Sequence, residues 1–177
     1  RYVQGGELLH PGEIVLEPGE SYSTPQVVAV YSDGGLTPAT WGFHRLARSG
    51  PAHPTTPRPV LLNTWEAVYF NHDTERLRAL ADVAASVGVE RFVLDDGWFG
   101  SRRDDTSGLG DWWVSPDVYP DGLAPLIGHV TGLGMEFGIW VEPEMVNPDS
   151  ELLRAHPEWA LVTDGYEPVL GRNQLVL

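Results

Sequence analysis

Phe92-Val93-Leu94-Asp95-Asp96-Gly97-Trp98-Phe99-Gly100 is the stretch that decides the fold. A short apolar run ends in two carboxylates, a glycine and an indole. A buried parallel strand whose carboxyl end opens on a binding site ends in this way. A second stretch repeats the form: Phe137-Gly138-Ile139-Trp140-Val141, then Glu142-Pro143-Glu144-Met145. Indole faces pack on the C–H faces of a pyranose, and carboxylates accept hydrogen bonds from its hydroxyls. Carboxylates and tryptophans at successive strand ends therefore predict a sugar-binding cleft.

Outward from this stretch, strands alternate with helices. Val60-Leu61-Leu62-Asn63 reads as a buried strand. Residues 73–87 read as an amphipathic helix, with Leu77, Leu80, Ala81, Ala84 and Val87 on one face, Asn71 or Asp73 as cap and Gly88 as stop. Residues 91–94 form the second strand. After a polar insertion over 101–120, a helix is expected over 122–133, with Asp121 as cap and Gly134 as stop. The third strand covers 136–141, and a third helix runs from about 149 to 156. Alternation of this kind predicts a parallel sheet with right-handed crossovers. A closed (β/α)8 barrel takes about 250 residues, so residues 57–177 are expected to hold its first three to four βα units. The final stretch, Gly171-Arg172-Asn173-Gln174-Leu175-Val176-Leu177, reads as the start of another strand. No Gly-x-Gly-x-x-Gly follows any strand, which disfavours a dinucleotide fold.

The first part of the chain differs in character. Residues 1–56 carry five acids against three arginines, while residues 57–177 carry twenty against eight. Glu13-Ile14-Val15-Leu16 and Val27-Val28-Ala29-Val30-Tyr31 read as strands between turns at Pro11-Gly12, Pro18-Gly19 and Asp33-Gly34-Gly35. Residues 1–56 are thus expected to be the C-terminal part of a β-sandwich domain and its linker. Residues 41–47 suit a short helix, and four prolines between Pro51 and Pro59 suit a linker. The expected fold class is α/β: a partial (β/α)8 TIM barrel preceded by the end of an all-β sandwich.

Composition narrows the chemistry. The net charge of −14 disfavours nucleic acid and anionic membrane surfaces as partners. All eleven basic residues are arginine, which excludes Schiff-base and P-loop lysine chemistry within these residues. Zero cysteines exclude disulfides and a thiol nucleophile. The six histidines form no metal-ligand spacing, and no Gly-x-Ser-x-Gly elbow occurs. Neither a metal nor any other cofactor is expected.

Asp95 and Asp96 can face one cleft only if the backbone leaves the strand, and Gly97 permits that. The plainer alternative is that one of them caps a loop. Trp98 serves equally well as a plug for the core. Trp65 follows the first strand as Trp140 follows the third. Asp111-Trp112-Trp113 suits a lid or a subunit contact, and the plainer alternative is that Asp111 caps a turn. Glu142 and Glu144 flank a proline, and alternation would aim both to one side as candidates for a glycosidase pair; the favoured alternative is that they bond neighbouring loops. Arg172 stands where a further strand would begin and could offer its fork to sugar oxygens.

At these residues the chain resembles the bacterial α-galactosidases of glycoside hydrolase family 36. Pro25-Gln26-Val27-Val28 and Gly42-Phe43-His44-Arg45 are similar to the end of that family's N-terminal β-supersandwich. Asn63-Thr64-Trp65-Glu66-Ala67, Asp95 to Gly100, Gly110-Asp111-Trp112, Gly138 to Met145 and Gly171-Arg172-Asn173-Gln174 are similar to its early barrel. The resemblance implies a retaining enzyme that removes terminal α-galactosyl residues from oligosaccharides such as melibiose or raffinose. It implies substrate contacts from Trp65, Asp95, Asp96, Trp140 and Arg172. The family's nucleophile lies in a Lys-Trp-Asp segment and its acid/base further on. Neither is present, so both are expected beyond Leu177, and the chain is expected to be an inactive fragment. A cytoplasmic homo-oligomer is also implied. Alternatives are a raffinose- or stachyose-type transglycosylase, an α-N-acetylgalactosaminidase, a non-catalytic sugar-binding protein and a metal-dependent barrel hydrolase with Asp95, Glu142 and Glu144 as ligands. On this reading Asp96→Ala removes a substrate contact but no core packing.

Overall fold

The computed structural model describes residues 2–163 and 165–177. The chain divides into two compact units, Arg1–Pro57 and Arg58–Leu177. In the first, α1 (Leu36–Ser49) extends the expected short helix at both ends. The strands expected over 13–16 and 27–31 do not form. Glu13 and Ile14 lie in a turn and a bend, and the rest join no ladder among the described residues. A strand exists only with a hydrogen-bonded neighbour, and β-rich composition cannot supply one. Glu13 and Glu20 instead close local turns onto the carbonyls of His10 and Glu17.

The second unit is built on a three-stranded parallel sheet: β1 (Leu61–Asn63), β2 (Arg91–Leu94) and β3 (Glu136–Ile139), in the order β1-β2-β3. Leu62 pairs with Phe92, and Phe92 with Phe137, so the apolar centres of the strands lie level. The crossovers run through α2 (Trp65–Val68) and α3 (Thr74–Ser86), then α4 (Ala124–Gly132). Asp73 caps α3 by accepting from the Arg76 N–H at 2.7 Å. Gly88 ends that crossover helix in a left-handed conformation (φ 89°) that only glycine adopts freely. Leu77, Ala81 and Ala84 meet Phe92, Leu94, Leu126 and Val130 in the core, whereas Val87 turns out to solvent.

Two expected features are corrected. Asp121 does not cap α4; the helix begins three residues later, behind Leu123, with Pro125 in its first turn. The final stretch does not add a strand to the parallel sheet. β4 (Met145–Val146) and β5 (Leu175–Val176) pair antiparallel as a separate ribbon, because the turn closed between Gly171 and Gln174 sends the chain back along 145–146. Between them, α5 (Glu151–Ala155) starts at Ser150, whose hydroxyl accepts from the Leu153 N–H at 3.1 Å. No described helix is long and apolar enough to cross a membrane.

Candidate functional site

The carboxyl ends of β1, β2 and β3 open on one cavity of about 590 Å³. Its wall includes Trp65, Asp95, Asp96, Trp140 and Arg172, all five residues singled out in the sequence. Sheet register explains the convergence. Thr64 N–H donates to the Val93 carbonyl and Trp140 N–H to the Leu94 carbonyl, so each residue that leaves a strand is tied to the neighbouring strand's end. Gly97 (φ 113°) lets the chain turn directly after Asp96. A Cβ there would lie 3.2 Å from the Phe70 Cα and the His72 ring. Arg172 reaches the cavity from the tight 171–174 turn, itself in a left-handed conformation (φ 59°).

Both aspartates are buried and held. Asp95 accepts from the Asn63 side-chain amide through one oxygen and from the Asp96 N–H at 2.7 Å through the other. Asp96 receives a side-on fork from Arg102. Nε lies 3.0 and 3.2 Å from its two oxygens, and Nη2 lies 2.8 Å from Oδ2. Burial pushes the Asp96 carboxyl above the usual carboxylate range, and the Arg102 guanidinium opposes that shift. Only 2% of Arg102 is exposed, so this ion pair is desolvated on both sides. Removing Asp96 would strand a buried guanidinium. The expectation that Asp96 could be truncated without structural cost is therefore corrected.

Other expectations sort cleanly. Trp98 is core: its Nε1–H donates to the Trp140 carbonyl at 2.9 Å, and its ring packs on Phe99 and Trp112. Asp111 is no lid residue; its carboxylate accepts from the N–H groups of Glu151 and Leu152 at 3.2 and 3.1 Å, at the start of α5. Glu142 lines the cavity and Glu144 does not, because the chain turns at 142–144 and breaks the alternation. Burial, with Glu144 nearby, raises the Glu142 carboxyl, while Arg102 and Arg172 pull it back. Asn63, Glu66, Phe70, Arg102, Asp105 and Gln174 also line the cavity and were not named as substrate contacts. Of these, Arg102 matters most. Its only sequence signal was an arginine six residues after Asp96, inside a polar insertion.

Trp65 stands edge-on to Tyr69 and Phe70, at centroid distances of 5.2 and 5.0 Å, which fixes its indole at the cavity wall. Two indoles, two held carboxylates and the Arg172 guanidinium make a wall suited to a polyhydroxylated ring with one apolar face.

The melibiase family matches residues 21–177. The α-galactosidase of Escherichia coli is 50% identical over 181 residues, covering 100% of this chain and 25% of that protein. The crystal structure of the family-36 α-galactosidase AgaB from Geobacillus stearothermophilus superposes with a TM-score of 0.85 at 51% identity, covering 92% of this chain and 23% of that one. A structure of AgaA from the same organism, solved with stachyose, gives 0.85 at 49% identity, covering 92% and 23%. The chain thus spans about a quarter of the length of the relatives it matches. With the family matched from residue 21 to the last residue, the chain belongs to the melibiase family.

Proposed function

We propose that this chain forms the galactose-binding wall of a retaining α-galactosidase, on the first βα units of a (β/α)8 barrel. Residues 1–56 would be the end of a preceding β-sandwich domain. The observation that carries the reading is the convergence of Trp65, Asp95, Asp96, Trp140 and Arg172 on one cavity at the carboxyl ends of three adjacent parallel strands. Relatives named as α-galactosidases, one of them solved with stachyose, support an α-galactoside as substrate.

The geometry also supports binding rather than bond breaking for the two aspartates. A nucleophile needs an oxygen free to attack the anomeric carbon, and a general acid needs a proton aimed at the leaving oxygen. Asp95 and Asp96 instead have their oxygens engaged by Asn63, Arg102 and a backbone N–H. They act as oriented acceptors for sugar hydroxyls, with Trp65 and Trp140 shaping the apolar side and Arg172 donating. The nucleophile and the acid/base are assigned to no residue here.

The test is hydrolysis of p-nitrophenyl α-galactoside by the intact protein, with the first-formed anomer read by proton NMR. Release of α-galactose supports the proposal. Release of β-galactose would overturn retention. Galactose binding without turnover would favour a sugar-binding protein, and transfer to a second sugar in place of water would favour a transglycosylase.

A further inference from the structure

Asn147 is fully buried on the far side of Arg102 from the cavity-lining Asp96, and its amide uses every hydrogen-bonding position it has. Its oxygen accepts from Arg102 Nη1 at 2.7 Å and from the Leu109 N–H at 2.9 Å. Its nitrogen donates to the Asp105 carbonyl at 3.2 Å and to the Asn173 carbonyl at 2.7 Å. Asn173 sits beside Arg172 in the tight turn that delivers Arg172 to the cavity. One side chain therefore touches both the guanidinium that grips Asp96 and the turn that carries Arg172.

We propose that Asn147 and Arg102 form a positioning relay that fixes the spacing between Asp96 and Arg172, so that both engage one sugar ring at once. The inference rests on the galactoside reading of the cavity. Neither residue performs chemistry in it. Arg102 faces the cavity but spends its donors on Asp96, Asn147 and the Ser107 carbonyl, with Phe70 stacked 5.3 Å away. Such a guanidinium is a fixed strut. Arg172, by contrast, is exposed and lies in a left-handed backbone conformation, so its position depends on what holds the turn. Among the described residues, the Asn147 amide is the side-chain donor to that turn's backbone.

Asn147→Asp is the informative change. The carboxylate keeps an acceptor for Arg102 and Leu109 but cannot donate to the Asn173 or the Asp105 carbonyl, so the turn and the Asp105 backbone are both released while the Arg102–Asp96 pair stays. For the intact protein acting on p-nitrophenyl α-galactoside, KM should rise about tenfold with kcat within about twofold. In an Arg172→Ala background the same change should raise KM less than about twofold, because the released turn no longer carries a contact. A purely structural role would instead lower the folded fraction, reducing apparent kcat at unchanged KM. If Asn147→Asp does not fold, Arg102→Lys serves, since lysine keeps the cation but loses the fork that reaches both Asp96 and Asn147. An unchanged KM in a folded variant, or multiplicative effects with Arg172→Ala, overturns the relay and leaves the galactoside reading standing. A wild-type protein inert toward α-galactosides overturns both.

Discussion

Asp96 carries two loads, as an acceptor in the cavity wall and as the counter-charge of a buried arginine. Asp96→Ala should therefore lose about 3–5 kcal/mol of stability, and an activity assay alone would misread the result. Asp96→Asn keeps the shape but also removes the counter-charge and turns an amide NH2 toward Arg102, so its denaturant midpoint must be measured beside its activity. In the folded fraction it should cut kcat/KM about a hundredfold. Wild-type kcat/KM in that variant would remove Asp96 from the site. His72 makes a second prediction at this scale. It is buried against Tyr119, whose hydroxyl lies 2.8 Å from Nδ1, and burial lowers its pKa from 6.5 to about 4. The unfolded chain then takes up this proton first as pH falls. The group's contribution is complete above pH 6.5 and is lost as pH falls through about 4, on the order of 3 kcal/mol in all. Denaturant midpoints of wild type and His72→Gln should diverge at pH 7 and converge near pH 4; parallel curves would sink the assignment. The tightest part of the site was the least visible in sequence. Asp95, Asp96 and the tryptophans announce themselves by following apolar runs. Arg102 and Asn147 lie in polar segments where their types are ordinary, and only burial makes them matter.

Elements show why local patterns succeeded in some places and failed in others. α3 was readable because its cap, apolar spacing and terminal glycine are all local. The start of α4 was misplaced because Asp121 is the better local cap, yet Gly122 takes a left-handed conformation (φ 71°) and delays the helix to Ala124. α5 has only five residues and borrows a second cap, Asp111, from forty positions earlier. Asp111→Ala should cost about 1–2 kcal/mol and leave KM for the galactoside unchanged. A raised KM would return Asp111 to the binding site. The loop after β2 depends on Gly97, at φ 113° with a backbone atom 3.2 Å from where a Cβ would sit. Gly97→Ala should therefore destabilise by about 1–3 kcal/mol, measured as a shift in denaturant midpoint.

At the scale of the whole molecule, the parallel sheet has two unpaired edges among the described residues, and Leu61, Ile139 and Val141 stand exposed beside them. These 177 residues expressed alone should bind a hydrophobic dye and self-associate at micromolar concentration, as unpaired apolar edges do. A monodisperse, dye-silent monomer would show that the edges are protected. The sequence by itself determined the βα rhythm, the parallel sheet and the position of Trp65, Asp95, Asp96 and Trp140 directly after its strands. Apolar period, caps and glycine stops are local, and strand ends are where such sheets bind. Only the tertiary structure decided that residues 13–16 and 27–31 stay unladdered, that the last stretch returns along β4, and that Arg102 and Asn147 brace the cavity. Each of these depends on a partner distant in sequence, and neither periodicity nor composition records where such a partner will stand.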